Sequence, residues 1–332
     1  MNTSATFSAN CRLDKIRSHY VETERDEEFL HQLNRLLKRD SEGTYVPEPV
    51  RFTGNSETRG VAFIEPSGGG KTSTISRALS KHPALSAKPG ETWARYLRIQ
   101  VPSPATLKSL GREVLVATGL PEVSSKSTAW EIWSLVRHRL ALLNIVVLWF
   151  DEAHDMFLSG SAREIDDMLK MLKTLMQSEA AVILVLSGTE RLAEITSYDP
   201  QVNRRFTKVV PKPLCQGVDS SNLFTLIKYF CDEVGLKFRG SDDLTGRLIH
   251  ASRRRFGRAV ETMIDAIECA IEEKSPELCI DHFAQAWGMQ EGCEWSNNVF
   301  VASDWAAIEL DAEAKAFENA RTARQTTQLG RK

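Results

Sequence analysis

The sequence has no apolar run long enough to cross a bilayer. Its longest runs, such as Ile145–Phe150 and Ala181–Leu186, are strand-sized, whereas a membrane helix needs roughly 20 apolar residues. The first residues, MNTSATFSANCRLDKIRSHY, contain no apolar segment of the kind a signal peptide uses, so the expectation is a soluble, cytoplasmic protein with no membrane role. Cysteine is sparse and unpatterned: none of Cys11, Cys215, Cys231, Cys269, Cys279 and Cys293 forms a CxxC pair or a His-flanked spacing, which speaks against a structural zinc site or a disulfide framework. There is no excess charge of either sign, with 42 Lys and Arg against 44 Asp and Glu. Histone-like binding driven by net charge is thereby excluded, and any DNA contact must come from a local basic surface. No internal repeat is visible.

What is present is ordinary globular composition, 42% apolar and 26% charged over 332 residues, enough for two domains or for one large core with a satellite bundle. Ile16, Tyr20, Phe29, Leu30, Leu33, Leu36 and Leu37 recur near helical spacing and predict residues 1–40 as one N-terminal helical arm, docked on the core or on a neighbouring subunit. Pro47, Pro49, Gly43 and Gly54 mark a loop into the first core strand, Gly60–Ile64. Further apolar runs at Tyr96–Val101, Ile145–Phe150, Ala181–Leu186 and Val209–Val210 alternate with amphipathic stretches, the pattern of a parallel sheet covered on both faces. Trp130, Ile132, Trp133, Val136, Leu140 and Leu143 form a helical stripe read as core or interface. These segments make an α/β core over residues 41–214. Beyond it, Asp219–Val234, Ser241–Ala251, Phe256–Glu273 and Ile280–Trp287 show helical periodicity only, predicting a small helical lid over 215–290. Residues 291–332 are predicted to form a helix from Trp305 and then a flexible polar tail.

The first core strand runs directly into Glu65-Pro66-Ser67-Gly68-Gly69-Gly70-Lys71-Thr72, followed by the helix-compatible Ser73–Leu79. Strand, glycine loop, GKT and helix in that order are a Walker A loop. Glycines let backbone N–H groups turn inward around phosphate oxygens, and the helix N-terminus adds partial positive charge. Ser67, Gly68, Gly69, Gly70, Lys71, Thr72 and Ser73 are therefore the predicted ATP-binding residues, with Lys71 on the β- and γ-phosphates and the Thr72 hydroxyl on Mg²⁺. The first loop position, usually glycine, is Glu65. Its carboxylate either sits near the nucleotide or turns away.

Further along, Asn144–Phe150 runs into Asp151-Glu152-Ala153-His154, an apolar strand ending in two acids, as in a Walker B element. Asp151 is the predicted Mg²⁺ residue and Glu152 the carboxylate that polarises the attacking water. The following strand ends in Ser187-Gly188, where a hydroxyl senses the γ-phosphate; that assignment stands on chain order alone. Arg204 and Arg205 precede the last strand. Either one can act as an arginine finger across a subunit interface, and both can equally be surface arginines. Arg258, after Gly257 at a helix start, is placed as a second sensor. Arg247, Arg253, Arg254 and Arg255 form a basic cluster that either contacts phosphate backbones or lies on an ion-paired face.

Walker A, Walker B, a sensor hydroxyl, an arginine pair and a helical lid make the ordered set of an AAA+ ATPase. The sequence further resembles the TniB and TnsC family of transposon-encoded AAA+ proteins, through Tyr20–Asp26, Val101–Lys108, Leu110–Pro121 and Phe150–His154. The resemblance implies an α/β fold with a P-loop AAA+ core around a parallel five-stranded sheet. It also implies ATP and Mg²⁺ as cofactors and a homo-oligomer, ring or helical filament, assembling on double-stranded DNA without reading its sequence. Such an assembly links a target-selection protein to a DDE-type transposase, with ATP hydrolysis as the switch for disassembly. By analogy Thr106 and Lys108 contact DNA phosphates, joined by Arg253 and Arg254 of the basic cluster. Two other readings stand beside this one. Asp-Glu-Ala-His also spells a helicase box, but residues beyond 215 offer no second α/β lobe. A nucleotide-gated adaptor or loader without a direct DNA role would equally suit the arm and tail.

Overall fold

The computed structural model describes residues 12–157, 162–177, 179–312, 316–317 and 320; the tail beyond 320 and Cys11 lie outside them. The chain divides into two compact units, one from Glu22 to Pro211 and one that joins the residues up to Val21 with those from Lys212 onward.

The first unit is built on five parallel strands. Helix α1 (Glu24–Asn34), the short strands β1 (Leu37–Arg39) and β2 (Tyr45–Pro49), and then β3 (Gly60–Ile64) and α2 (Lys71–Lys81) open the unit. Then come β4 (Tyr96–Gln100), α3 (Leu107–Ala117), α4 (Ala129–Leu142), β5 (Val147–Asp151) and α5 (Ala162–Gln177). The unit closes with β6 (Ile183–Gly188), α6 (Glu190–Ser197), α7 (Pro200–Asn203) and β7 (Phe206–Val209). The strand order is β4-β5-β6-β3-β7, so β3, whose end carries the glycine loop, lies between β6 and β7. Every residue of β3, β5 and β6 is buried, as expected of central strands covered on both faces.

Strand side chains alternate between the two faces, and the core divides accordingly. Ala62, Ile64, Leu148, Phe150, Leu184 and Leu186 pack with Leu110, Val114, Ile132, Trp133, Val136 and Leu172 from α3, α4 and α5. Val61, Phe63, Val147, Trp149, Ile183 and Val185 pack with Ile75 and Leu79 of α2 and with Phe29 and Leu33 of α1. Helix α1 is thus one of the two helices covering this face. Trp130, by contrast, is 74% exposed and leaves the stripe its neighbours form.

The arm predicted as one helix is interrupted. Residues 12–17 are helical and α1 begins anew at Glu24, because Thr23 and Asp26 form a capping box that starts a fresh helix. Leu13 and Ile16 join the core of the C-terminal unit instead. Leu36 and Leu37, assigned to the same helix, lie at the turn into β1. The predicted loop also contains structure: β1 and β2 pair antiparallel, and this two-stranded ribbon tolerates Pro47 and Pro49 because it has free edges.

The C-terminal unit holds α8 (Ser220–Val234), α9 (Leu244–Ala251), α10 (Phe256–Glu272) and α11 (Ile280–Glu291). They enclose Leu223, Ile227, Phe230, Met263, Ile267, Phe283 and Trp287. Two brief parallel strands, Lys237–Phe238 and Glu277–Leu278, pair beside them, unannounced by any apolar run. Trp305–Ala307 form a 3₁₀ turn, and beyond it the described residues 312, 316, 317 and 320 are helical. In the turn the Trp305 ring packs against His250 at 5.6 Å and lies under the Arg247 guanidinium. Burial pushes the Cys231 and Cys269 thiols up to about 12 and about 11, so neither is a nucleophile at neutral pH. Among the described residues no helix is long and apolar enough to cross a membrane.

Phe29 is fully buried and meets Phe63 edge-on with ring centroids 5.8 Å apart. Phe29→Ala should therefore destabilise the α/β unit by about 3–5 kcal/mol, read by urea denaturation with fluorescence of the buried Trp149. A loss under about 1 kcal/mol, the size of an ordinary surface effect, would mean that α1 is not part of this core.

Candidate functional site

The site grows from the ends of three adjacent strands. Parallel register sets Ile64 of β3 opposite Gly188 of β6 and Phe150 of β5 opposite Leu186 of β6. The residues that follow β3 and end β5 and β6 therefore gather at the carboxyl edge of the sheet, where ligands bind in open α/β folds.

After β3 the Glu65 N–H donates to the Gly188 carbonyl at 3.0 Å, holding the start of the loop to β6. Gly70, with φ +113°, is the residue before α2, a left-handed conformation that favours glycine. Gly69 is required for a different reason: a Cβ there would lie 2.0 Å from Glu65 Cδ. Lys71 is the first residue of α2. Its side chain is 4% exposed and its ammonium donates to the Pro66 carbonyl at 3.3 Å and lies 4.0 Å from a Glu152 oxygen. Ser67 and Ser73 are exposed. The loop thus has backbone donors, one buried cation and a helix N-terminus, a set suited to an anion carrying several charges.

Asp151 is the hub of the site at 1% exposure. The Thr72 hydroxyl donates to its Oδ2 at 3.0 Å, and Arg98 of β4 donates to the same oxygen at 2.7 Å. Its Oδ1 accepts from the Ser187 hydroxyl at 2.7 Å and from the Glu152 N–H at 3.2 Å. Ser187 in turn accepts from the Trp149 indole N–H at 2.7 Å, so its hydroxyl orients Asp151 in this arrangement. Arg98 also lies over the Trp149 ring, 4.8 Å from its centroid. Two hard oxygen donors, Thr72 and Asp151, therefore adjoin each other. That is donor chemistry for a small divalent cation held largely by phosphates and water.

Glu152 has φ +54°, an uncommon conformation for a residue with a side chain. Its carboxylate lies 3.3 Å from His154 Nδ1. Burial pushes the His154 imidazole below its ordinary range, although Asp155 and Glu152 act in the other direction.

Two residues at the loop were given no role by sequence reasoning. Glu65 does not turn away: it is buried beneath Gly69 and pairs with Arg25 of α1 at 3.1 Å. Arg98 was also overlooked, although an arginine inside the apolar Tyr96-Leu97-Arg98-Ile99 strand signals a buried acidic partner.

The arginines predicted to act in trans or on DNA separate clearly. Arg205 is not a surface residue. At 2% exposure it pairs with Glu57 at 2.6 Å within the α/β unit. Arg204 shares Glu57 at 3.2 Å but keeps its side chain 52% exposed. Arg253 is engaged within its own unit and follows the ion-paired alternative. It bonds both oxygens of Glu291, at 2.7 and 2.8 Å, together with Asp311 and the Leu310 carbonyl. Arg247 is likewise bound to Asp243 and to the carbonyls of Val299 and Ala302, so much of the basic cluster is internal cement. Arg254 donates to the Leu214 carbonyl yet is exposed. Arg258 lies 3.9 Å from Glu291, in the C-terminal unit. Thr106 caps α3 through Ser109, and Thr106 and Lys108 are both exposed.

Comparison with known proteins bears on this arrangement. The protein-family model described as Bacterial TniB protein matches residues 12–214. No curated protein matches the chain. Among solved structures the chain is similar to the Aeropyrum pernix Orc1 protein, solved in complex with DNA, with a TM-score of 0.57 at 17% identity. That match covers 82% of this chain and spans only 66% of the Orc1 chain. It is also similar to Cdc6p from Pyrobaculum aerophilum, with a TM-score of 0.56 at 14% identity over 82% of this chain and 70% of that one. The Aeropyrum pernix Orc2 protein gives 0.51 at 16% identity, over 85% and 74%. These likenesses concern the fold, a P-loop AAA+ core around a parallel five-stranded sheet.

Ser187→Ala should leave the Trp149 indole and one Asp151 oxygen without their buried partner, at a cost of about 1–3 kcal/mol. The cost should shrink in a Trp149→Phe background, measured as a double-mutant cycle by chemical denaturation. An equal cost in both backgrounds would mean that the indole bond adds nothing.

Proposed function

The chain belongs to the bacterial TniB family; from that premise we propose that it is a nucleotide-driven AAA+ ATPase that oligomerises on double-stranded DNA and recruits or activates a DDE-type transposase. The observation that carries the reading is the convergence of Lys71, Thr72, Asp151 and Glu152 at the carboxyl edge of the sheet. Thr72 lies 3.0 Å from Asp151, and Lys71 lies 4.0 Å from Glu152.

In this reading the N–H groups of the 67–73 loop and the N-terminus of α2 take the ATP phosphates, and Lys71 meets the β- and γ-phosphates. Thr72 and Asp151 would hold Mg²⁺, whose charge offsets that developing on the phosphates. Glu152 accepts a proton from water as the water oxygen attacks the γ-phosphorus and the bond to the β,γ-bridging oxygen breaks, leaving ADP and phosphate. Ser187 and Arg98 keep Asp151 oriented. Arg204, the exposed member of its pair, is the candidate finger acting on a neighbour's nucleotide, and Arg258 the candidate second sensor.

DNA contact falls to exposed groups, Thr106 and Lys108 at the start of α3 and Arg254, acting on phosphates without reading bases. ATP binding would favour the assembled ring or filament, and hydrolysis would release it. A target-selection protein and the transposase are the partners this requires, in the cytoplasm. The second reading, a nucleotide-gated adaptor without DNA, draws support from the ion pairing that removes Arg247 and Arg253 from the basic surface.

Sedimentation with duplex DNA of unrelated sequences, without nucleotide, with ADP, and with a non-hydrolysable ATP analogue plus Mg²⁺, separates the two. Large assemblies dependent on the analogue and formed on any duplex are expected; indifference to DNA would favour the adaptor. Lys71→Ala should abolish nucleotide binding and assembly, and unchanged ATP affinity would overturn the site. Glu152→Gln should bind ATP normally and hydrolyse it about 100-fold more slowly or worse, trapping the assembly; undiminished turnover would remove Glu152 from its role.

A further inference from the structure

We propose that Arg25 is a positioning residue of the nucleotide site: it is the built-in counter-charge to Glu65 that makes this glycine loop able to accept phosphates. The inference rests on the reading of residues 65–72 as a phosphate loop.

Glu65 stands where such a loop usually has glycine, and its backbone cannot swing out, because its N–H is held by the Gly188 carbonyl at 3.0 Å. Its side chain is 9% exposed and fills the space beside Gly69 so closely that a Cβ at 69 would fall within 2.4 Å of both carboxylate oxygens. An ionised carboxylate there is buried directly against the loop that must receive a polyanion. Burial weakens screening by water and salt, so an unneutralised Glu65 would oppose phosphate binding on charge alone.

Arg25 supplies the neutralising charge from outside the loop. It lies in the first turn of α1. Its Nη1 is 3.1 Å from Glu65 Oε1, with both side chains 9% exposed, and it also donates to the Gly69 carbonyl. The guanidinium is held in place at its other end, where Nε donates to the Thr23 hydroxyl at 3.0 Å. Thr23 is itself fixed by Asp26, which accepts from its N–H and its hydroxyl at 2.9 Å each. The capping box that starts α1 therefore also aims Arg25.

The bond to the Gly69 carbonyl has a second consequence. In a trans peptide the C=O and the following N–H point in opposite directions. With the Gly69 carbonyl turned to Arg25, the Gly70 N–H turns away from it, leaving a donor for an anion. One guanidinium thus cancels the opposing charge and orients a backbone donor. Because Phe29 and Leu33 of the same helix are buried in the sheet, the cation is anchored by the core.

The test is the affinity of the full-length protein for a fluorescent ATP analogue with Mg²⁺, measured by titration and set beside thermal melting of each variant. Arg25→Ala should weaken binding roughly 30-fold or more, as expected when one partner of a buried charge pair is removed. Glu65→Gln, of nearly the same shape but neutral, should bind within about threefold of the native protein, and Arg25→Ala/Glu65→Gln should recover most of the lost affinity. A purely structural Arg25 would not be rescued by neutralising Glu65, so failure of the double variant to recover overturns the proposal, as does native affinity in Arg25→Ala. If Arg25→Ala does not fold, Arg25→Lys against Arg25→Gln decides. Retained affinity with lysine and lost affinity with glutamine support the counter-charge, and equal affinities overturn it. Failure of the phosphate-loop reading itself has a separate signature: Lys71→Ala would then bind the analogue as the native protein does.

Discussion

The site depends on strand register. β6 lies between the strand that feeds the glycine loop and the strand that ends in Asp151, with Phe63 opposite Ser187 and Phe150 opposite Leu186. A slip of one residue in either pairing would turn the alternating side chains to the wrong face and separate Thr72, Ser187 and Asp151. What holds the register is the burial of both faces. The odd-numbered and even-numbered residues of β3 belong to different cores, so neither set can move into the other's place without exposing apolar surface.

A second constraint is electrostatic. This protein buries two ion pairs on both sides, Glu65 with Arg25 and Glu57 with Arg205, and sets the exposed Arg98 against the buried Asp151. The two buried pairs add little net stability, because removing both charges from water offsets their attraction. Removing one partner alone is costly, about 3–5 kcal/mol. They therefore act as specifiers of arrangement. Glu57–Arg205 ties the approach to β3 to the approach to β7, and Arg98 ties the edge strand β4 to the acidic end of β5.

Much of this was legible in the sequence because its causes are local. A glycine loop after an apolar strand and before a helix needs only neighbouring residues to state its chemistry, and Lys71, Thr72, Asp151 and Glu152 announce themselves by residue type and strand position. The five parallel strands were legible for the same reason, as were the helices of the C-terminal unit. Where the reading failed, the deciding partner was distant or the local signal ambiguous. The arm was read as one helix because its apolar spacing continues through Thr23, yet Leu13 and Ile16 belong to one unit and Phe29 and Leu33 to the other. For Arg253 the sequence leaves a phosphate contact and an ion-paired face both open, because Glu291 and Asp311, which bind it, are far along the chain.

The sequence by itself determined the fold class, the glycine loop, the acidic strand end and the family resemblance, since each rests on hydrophobic period or on motifs of adjacent residues. Only the tertiary structure decided which charges are spent internally. It removed Arg205 and Arg253 from the surface, made Ser187 a partner of Asp151 and Trp149, and joined Arg25 to Glu65 across 40 residues of chain. The physical reason is that a charged side chain shows its sign in the sequence but not its partner. The partner is chosen by burial, and burial is set by how the whole chain packs.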